Sequence, residues 1–293
     1  MRVGVWQTID CPTAAVIPSV GTVLISFLTL LFFGCLTGVT TVLFGFGGGF
    51  VTVPVVYGVL SLDGRPGADA MHVAVATSAA VMVVNAGVAA LAQWRQGRLR
   101  RAYLWPLAGF VALGAAAGAC AAALIDGTVL RVLFGVYLLV TIGDSVLRRG
   151  FLTVAQPERP RPLGRRTVTL GGTGIGLVAA GLGVGGSVMT VPLLRRRGLP
   201  MAEATAMANP LSVPVAVAGS LVYALAPAGA AVGTDRLGFV DLGAGAALLL
   251  GSLPTIAVLR RVTGRVPDRI HSVAYVALLL VVLAVMLLLG VNA

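Results

Sequence analysis

Long apolar runs leave this chain one medium to fold in. Val20–Phe44, Ala70–Gln93, Tyr103–Ile125, Val129–Leu147, Thr167–Leu182, Ala202–Ala226, Leu237–Leu259 and Ser272–Val291 carry few charges or none. A bilayer crossing takes about 20 such residues at about 1.5 Å of rise each. With 58% hydrophobic and 11% charged residues, the chain has too little polar surface for a soluble domain. The expectation is an all-α integral membrane protein.

Two glycine clusters interrupt this pattern. "GFGGGFVTVPVV" (Gly45–Val56) and "GVGGSVMTVPLL" (Gly183–Leu194) align on Pro54 and Pro192. Gly47 then pairs with Gly185, Gly48 with Gly186, Gly49 with Ser187 and Thr52 with Thr190. Each cluster is followed by an apolar piece too short to span, Val51–Leu60 or Val188–Leu194, and then by three spanning runs. "HVAVATS" (His72–Ser78) matches "EATAMAN" (Glu203–Asn209) in position, which sets Thr77 and Ser78 against Ala208 and Asn209. The chain therefore reads as a duplication: repeats 20–147 and 167–293, a linker 148–166, and a leading segment 1–19.

All 21 basic residues are arginine, and the net charge is +11. They cluster between apolar runs, the pattern of cytoplasmic loops rather than of a nucleic-acid surface. Arg95, Arg98, Arg100 and Arg101 form one group, and Arg195 to Arg197 another. Arg148, Arg149, Arg159, Arg161, Arg165 and Arg166 fill the linker. Arg260, Arg261, Arg265 and Arg269 precede the last run. All fall inside if each glycine break is the tip of a re-entrant hairpin. Arg2, Arg65, Arg131 and Arg236 then lie outside, as do both termini and segment 1–19. The halves take opposite orientations, a plan known in secondary transporters. Val20–Phe44 is also long enough to be a full span, and that alternative stands open.

Broken backbone at membrane depth must be buried in protein or line a cavity. A half-helix beginning at such a break exposes unpaired N–H groups and a positive dipole end, which suit an anion without any cationic side chain. Gly47, Gly48 and Gly49, facing Gly185, Gly186 and Ser187, are candidate anion cradles, with the Thr52 and Thr190 hydroxyls a turn further on. Thr77, Ser78 and Asn209 are candidate contacts on the helices that follow. Pro210 and Pro214 predict a kink or unwinding beside Asn209. Asn85 reads as an interhelical hydrogen bond. His72 and Glu203, at matched helix starts, are candidates for proton coupling. Asp144 is expected to pair with Arg148, and Asp241 lies near Asp235 and Arg236. Cys35 and Cys120 read as small packing residues, and Cys11 forms no pattern with them. No metal-ligand spacing, cofactor motif or catalytic constellation emerges. "GLGVGG" lacks the flanking strand that a dinucleotide site needs. An enzyme is not expected.

With these residues laid out, the chain resembles the sulfite exporter TauE/SafE family of bacterial anion permeases. The resemblance rests on "GFGGGFVTVPVV", on "GVGGSVMTVPLL" and on "ATS" at Ala76–Ser78, and runs from about Val20 to Val291. It implies a multi-pass protein of the bacterial cytoplasmic membrane that moves sulfur-containing anions such as sulfite, sulfonates or sulfoacetate. The second half departs from the family pattern at "MANP" (Met207–Pro210), where a threonine-serine pair is expected. The partners expected are a small anionic substrate and the lipid bilayer, not nucleic acid, with room for a homo-oligomer. Proton-coupled uptake of another small anion, a cation carrier and a non-transporting membrane subunit are the alternatives.

Overall fold

The computed structural model describes residues 20–62, 69–97, 99–147, 163–226, 236–261 and 267–291. Segment 1–19, most of the 148–166 linker, Cys11, Arg65, Arg98, Asp235 and Arg265 lie outside them.

The first half builds α1 (Val20–Phe44), α2 (Gly49–Leu62), α3 (Ala70–Arg95), α4 (Arg101–Ala123) and α5 (Gly127–Leu147). The second opens with a π-helical turn, Thr167–Gly171. It continues through α6 (Gly172–Gly181), α7 (Ser187–Arg196), α8 (Met201–Leu225), α9 (Leu242–Leu259) and α10 (Asp268–Val291). Seven of these helices are long and apolar enough to cross a membrane: α1, α3, α4, α5, α8, α9 and α10. Their outward faces carry bare apolar side chains such as Phe32, Leu113 and Leu288, as lipid-facing helices do. One departure from all-α is an antiparallel ribbon, β1 (Arg236–Leu237) with β2 (Val240–Asp241), just ahead of α9.

Both glycine breaks turn the chain back on itself. After α1, Gly45, Gly47 and Gly48 adopt φ of 73°, 62° and 90°. In this region a Cβ would clash, so glycine carries the turn. α2 then runs back along α1, with Thr29, Phe33 and Leu36 sharing a cleft with Val51, Val55 and Val59. After α6 only Gly183 is left-handed, at φ 65°. The residue after α7, Arg197, donates to Thr167 Oγ1, at the start of the π-helical turn, at 3.2 Å. The arms are unequal: α1 is one unbroken helix of 25 residues, and the π-helical turn with α6 forms a shorter continuous helix, Thr167–Gly181.

Each long arm packs on a helix of the other half, α1 on α9 and α6 on α4, while α3 packs on α8. Small residues allow the close approach. A Cβ on Gly114 would lie 2.0 Å from the Thr173 carbonyl oxygen, and one on Gly176 would lie 2.0 Å from that of Val111. Across α1 and α9, a Cβ on Gly34 would meet the Leu248 oxygen at 2.5 Å. Cys35 and Cys120, expected to pack inside, are exposed. The neighbouring glycines already give these helices their contact, so a thiol is not needed there. α8 runs unbroken through Pro210 and Pro214. The expected unwinding is not seen, since each proline removes one hydrogen bond and not a turn.

Ion pairs show which helix ends share a side. Arg100 pairs with Glu203 at 2.9 Å. Arg195 holds Asp268 in a fork of 2.8 and 3.2 Å, and the same carboxylate accepts the Met201 N–H at 2.7 Å. Arg196 pairs with Asp144, the partner found for that carboxylate; Arg148 lies outside the described residues. The ends of α3, α5, α7 and α9 and the starts of α4, α8 and α10 therefore collect together. Among the described residues, only Arg131 and Arg236 place an arginine at the opposite end. There Arg236 lies 3.7 Å from Asp241, and Arg131 donates to the Tyr57 hydroxyl at 3.0 Å.

Candidate functional site

The two breaks meet. A Cβ on Gly49 would stand 2.8 Å from the Gly183 carbonyl oxygen, and one on Gly185 would stand 2.6 Å from that of Phe46. Ser78 ties the crossing together. Its Oγ lies 2.9 Å from the Gly49 carbonyl and 2.7 Å from the Gly183 carbonyl. One hydroxyl hydrogen serves one acceptor at a time, so Ser78 bridges the two tips by choosing between them.

From this crossing α2 and α7 start in opposite directions. By helix geometry, the N–H groups of a first turn have no carbonyl four residues back within the helix. In α2 the Thr52 N–H is satisfied by Gly48, and in α7 the Thr190 N–H by Gly186, at 3.2 and 2.9 Å. The amides ahead of them, Gly49 to Val51 and Ser187 to Val188, lie at the positive ends of the two helix dipoles.

Around these ends lie buried polar atoms without a partner: Thr37 Oγ1, Asn85 Nδ2, Ser187 Oγ, Thr190 Oγ1 and Asn209 Oδ1. All five side chains are 0% exposed. An unsatisfied buried polar group costs about 1–3 kcal/mol, a cost that a hydrogen-bonding guest among these five would offset. None of the five residues is charged. Their free groups include hydroxyl and amide donors and one carbonyl acceptor, Asn209 Oδ1.

Neighbours hold these groups in place. Asn85 accepts from Ser252 Oγ at 2.9 Å, the interhelical bond expected of it, and its free Nδ2 faces Gly48. Asn209 Nδ2 donates to the Thr41 carbonyl at 3.1 Å, which ties α8 to α1. Thr41 in turn donates to the Thr37 carbonyl at 2.8 Å. Thr52 donates back to Gly48 at 2.9 Å, whereas its match Thr190 has no acceptor.

The other candidate residues sit elsewhere. Thr77 Oγ1 accepts the Asp241 N–H at 3.0 Å, securing the turn before α9. His72 Nε2 lies 2.9 Å from the Ile125 carbonyl and 3.3 Å from that of Ala122, at the end of α4. Glu203 meets Arg100 at the opposite end of the bundle. Thr37, Thr41 and Ser252 are additions that the sequence reading did not make. Threonine in an apolar helix usually bonds back to its own backbone, so nothing local separates Thr37 from its neighbours.

The matched glycines also correct the pairing of α3 with α8. Gly47 packs on Met82 and Gly185 on Ser212; Gly48 packs on Asn85 and Gly186 on Val215. In that register Ser78 corresponds to Ala208 and not to Asn209. The connections entering α3 and α8 differ in length, so the glycine motif cannot carry the alignment across them.

Among the described residues, no cluster of His, Cys, Asp or Glu could hold a metal ion. A family model described as "Sulfite exporter TauE/SafE" matches residues 30–287, nearly the whole chain. No curated protein and no solved structure matches the chain.

Proposed function

The chain belongs to the sulfite exporter TauE/SafE family, and on that premise we propose that it is a permease for a small sulfur-containing anion. The site is the crossing of the two glycine breaks. One observation carries this reading: unpartnered buried polar atoms surround the facing N-termini of α2 and α7. Helix N-termini receive anions through backbone N–H groups and the positive dipole end. Asn85 Nδ2 and the Ser187 and Thr190 hydroxyls add donors. The acceptor Asn209 Oδ1 suits an oxyanion that keeps one proton, such as hydrogen sulfite.

In the proposed topology the two halves are inverted, the breaks are re-entrant, and the arginine-bearing end faces the bacterial cytoplasm. A reporter active only in the cytoplasm, fused after the last residue, is expected to be silent. Activity there would reverse or discard this topology. Membrane voltage then sets direction. About 100 mV, inside negative, contributes about 2.3 kcal/mol per charge and drives an anion outward. None of the five unpartnered residues has an ionisable side chain, although Tyr275 bonds the Val188 carbonyl and His271 packs on Phe44 close by; voltage-driven export needs neither to move a proton.

The test is flux of radiolabelled sulfite in proteoliposomes, with organosulfonates and carboxylates as competitors. Saturable sulfite flux that responds to voltage is the expected result. Tight binding without flux would favour the non-transporting subunit. Flux indifferent to the charge of the solute would remove the cradle.

A further inference from the structure

α5 is a peripheral helix, and an apolar stripe would suffice to pack it. Its first half has one, with Leu130, Phe134 and Leu138 buried. Towards the arginine-bearing end the buried stripe changes chemistry. Tyr137, Thr141 and Ser145, four residues apart and so on one face, are 8%, 6% and 1% exposed. Thr141 donates to its own helix, to the Tyr137 carbonyl at 2.8 Å. Ser145 Oγ has no partner, and the Tyr137 hydroxyl lies beside that of Thr141.

Two contacts set this stripe beside α7. The Tyr275 hydroxyl of α10 donates to the Val188 carbonyl at 3.0 Å, and α5 packs on α10 and touches α7. Eight residues along α7, Arg196 pairs with Asp144, the neighbour of Ser145. α5 and α7 therefore run side by side in the same direction, from the crossing to the arginine-bearing end. The unpartnered Ser187 and Thr190 hydroxyls stand at the inner end of this seam. Arg195, forked onto Asp268 and reaching Ser272 Oγ at 3.3 Å, stands at the outer end.

The seam at the opposite end differs. Where α2 meets α10, both helices contribute only apolar side chains, among them Val55 and Val59 against Val282, Val285 and Leu289. Elsewhere towards that end, the buried hydroxyls of Tyr57, Thr77 and Tyr223 are each already bonded, to Arg131, to the Asp241 N–H and to the Gly181 carbonyl.

We propose that the α5–α7 seam is the route by which a small anion moves between the central site and the arginine-bearing end. Tyr137, Thr141 and Ser145 line it, and the Arg195–Asp268 pair closes its mouth. This rests on the permease reading above. Each hydroxyl replaces part of the anion's hydration shell, and several weak stations let the ion leave as well as enter. When Asp268 swings away, the same Arg195 fork fits an oxyanion.

The test starts from a protein with Cys11, Cys35 and Cys120 replaced by alanine. Thr141→Cys and Ser145→Cys are introduced singly, with Leu279→Cys on α10 as the control. A membrane-impermeant thiol reagent bearing a sulfonate, methanethiosulfonate ethylsulfonate, is added to either face of reconstituted vesicles. Reaction from the arginine-bearing face, with loss of flux, is expected at the two α5 positions and not at Leu279→Cys. The double variant Thr141→Val with Ser145→Ala is expected to lower sulfite flux at least tenfold. It should still be stabilised against heat by sulfite, which shows that it folds with its central site intact. No labelling of a transporting protein from either face, or unchanged flux in the double variant, overturns the seam and leaves the permease reading standing. If the parent moves no sulfur anion but Thr141→Cys still reacts from that face, the route stands and the substrate reading fails.

Discussion

The two glycine breaks share a motif but differ in what they offer. The first supplies backbone shape. Three of its glycines are left-handed, its matched threonine Thr52 is turned back on Gly48, and Gly49 has no side chain. The second supplies side chains. It has one left-handed glycine, and its Ser187 and Thr190 hydroxyls are unspent. The surroundings divide the other way. Gly48 faces Thr37 and Asn85, and Gly186 faces Ile175 and Val215. The two breaks thus differ, one resting on backbone shape and one carrying unspent hydroxyls, and matched positions should not respond alike to matched substitutions.

The largest contrast is expected between Gly48→Ala and Gly186→Ala. At Gly48, φ is 90° and a Cβ would lie 2.5 Å from Thr37 Cγ2 and 3.0 Å from Asn85 Nδ2. At Gly186, φ is −57° and the nearest atom, Ile175 Cγ2, is 3.3 Å away. Sulfite flux is expected to fall to background in the first and to stay within about twofold of the parent in the second, since only the first forces a side chain into the left-handed region. Equal loss in both would mean that the breaks are equivalent after all.

A smaller contrast separates the matched threonines. Thr190→Val removes a free donor, and Thr52→Val removes a hydroxyl already bonded to its own helix. A hydrogen bond to a charged group is worth about 1.5–3 kcal/mol. Thr190→Val should therefore raise the half-saturating sulfite concentration by about tenfold or more, and Thr52→Val by about twofold at most. The reverse order would place the anion on the first half-helix alone.

The readability of this chain followed the same division. Spanning helices were legible, because bilayer thickness sets their length. Tyr103–Ile125 in the hydropathy pattern became α4 at Arg101–Ala123, and Val20–Phe44 became α1 without change. The glycine breaks were legible because they conflict with that rule. The ribbon before α9 was not, since two-residue strands have no period to detect. Nor were Thr37 and Thr41 of α1, which reach the crossing only because α1 lies against both α2 and α8. Side-chain pairing across helices depends on register, and the shift that sets Ser78 opposite Ala208 arises in the connecting segments, where no motif marks it.

The smallest effects are expected at the matched helix starts, His72 and Glu203. Both brace helix ends and neither touches the crossing. His72 closes the end of α4 through two carbonyls, and Glu203 meets Arg100 in a pair whose side chains are 38% and 47% exposed. Such exposed pairs contribute about 0–1 kcal/mol. Glu203→Gln should therefore leave the sulfite flux, and its response to an imposed pH gradient, within about twofold of the parent. His72→Gln keeps a donor for the Ile125 carbonyl and should behave alike. The measurement is flux at matched voltage with and without the gradient. If the gradient drives the parent but not Glu203→Gln, a proton enters at that helix end. Coupled uptake would then replace export, and the two starts would differ as sharply as the two breaks do.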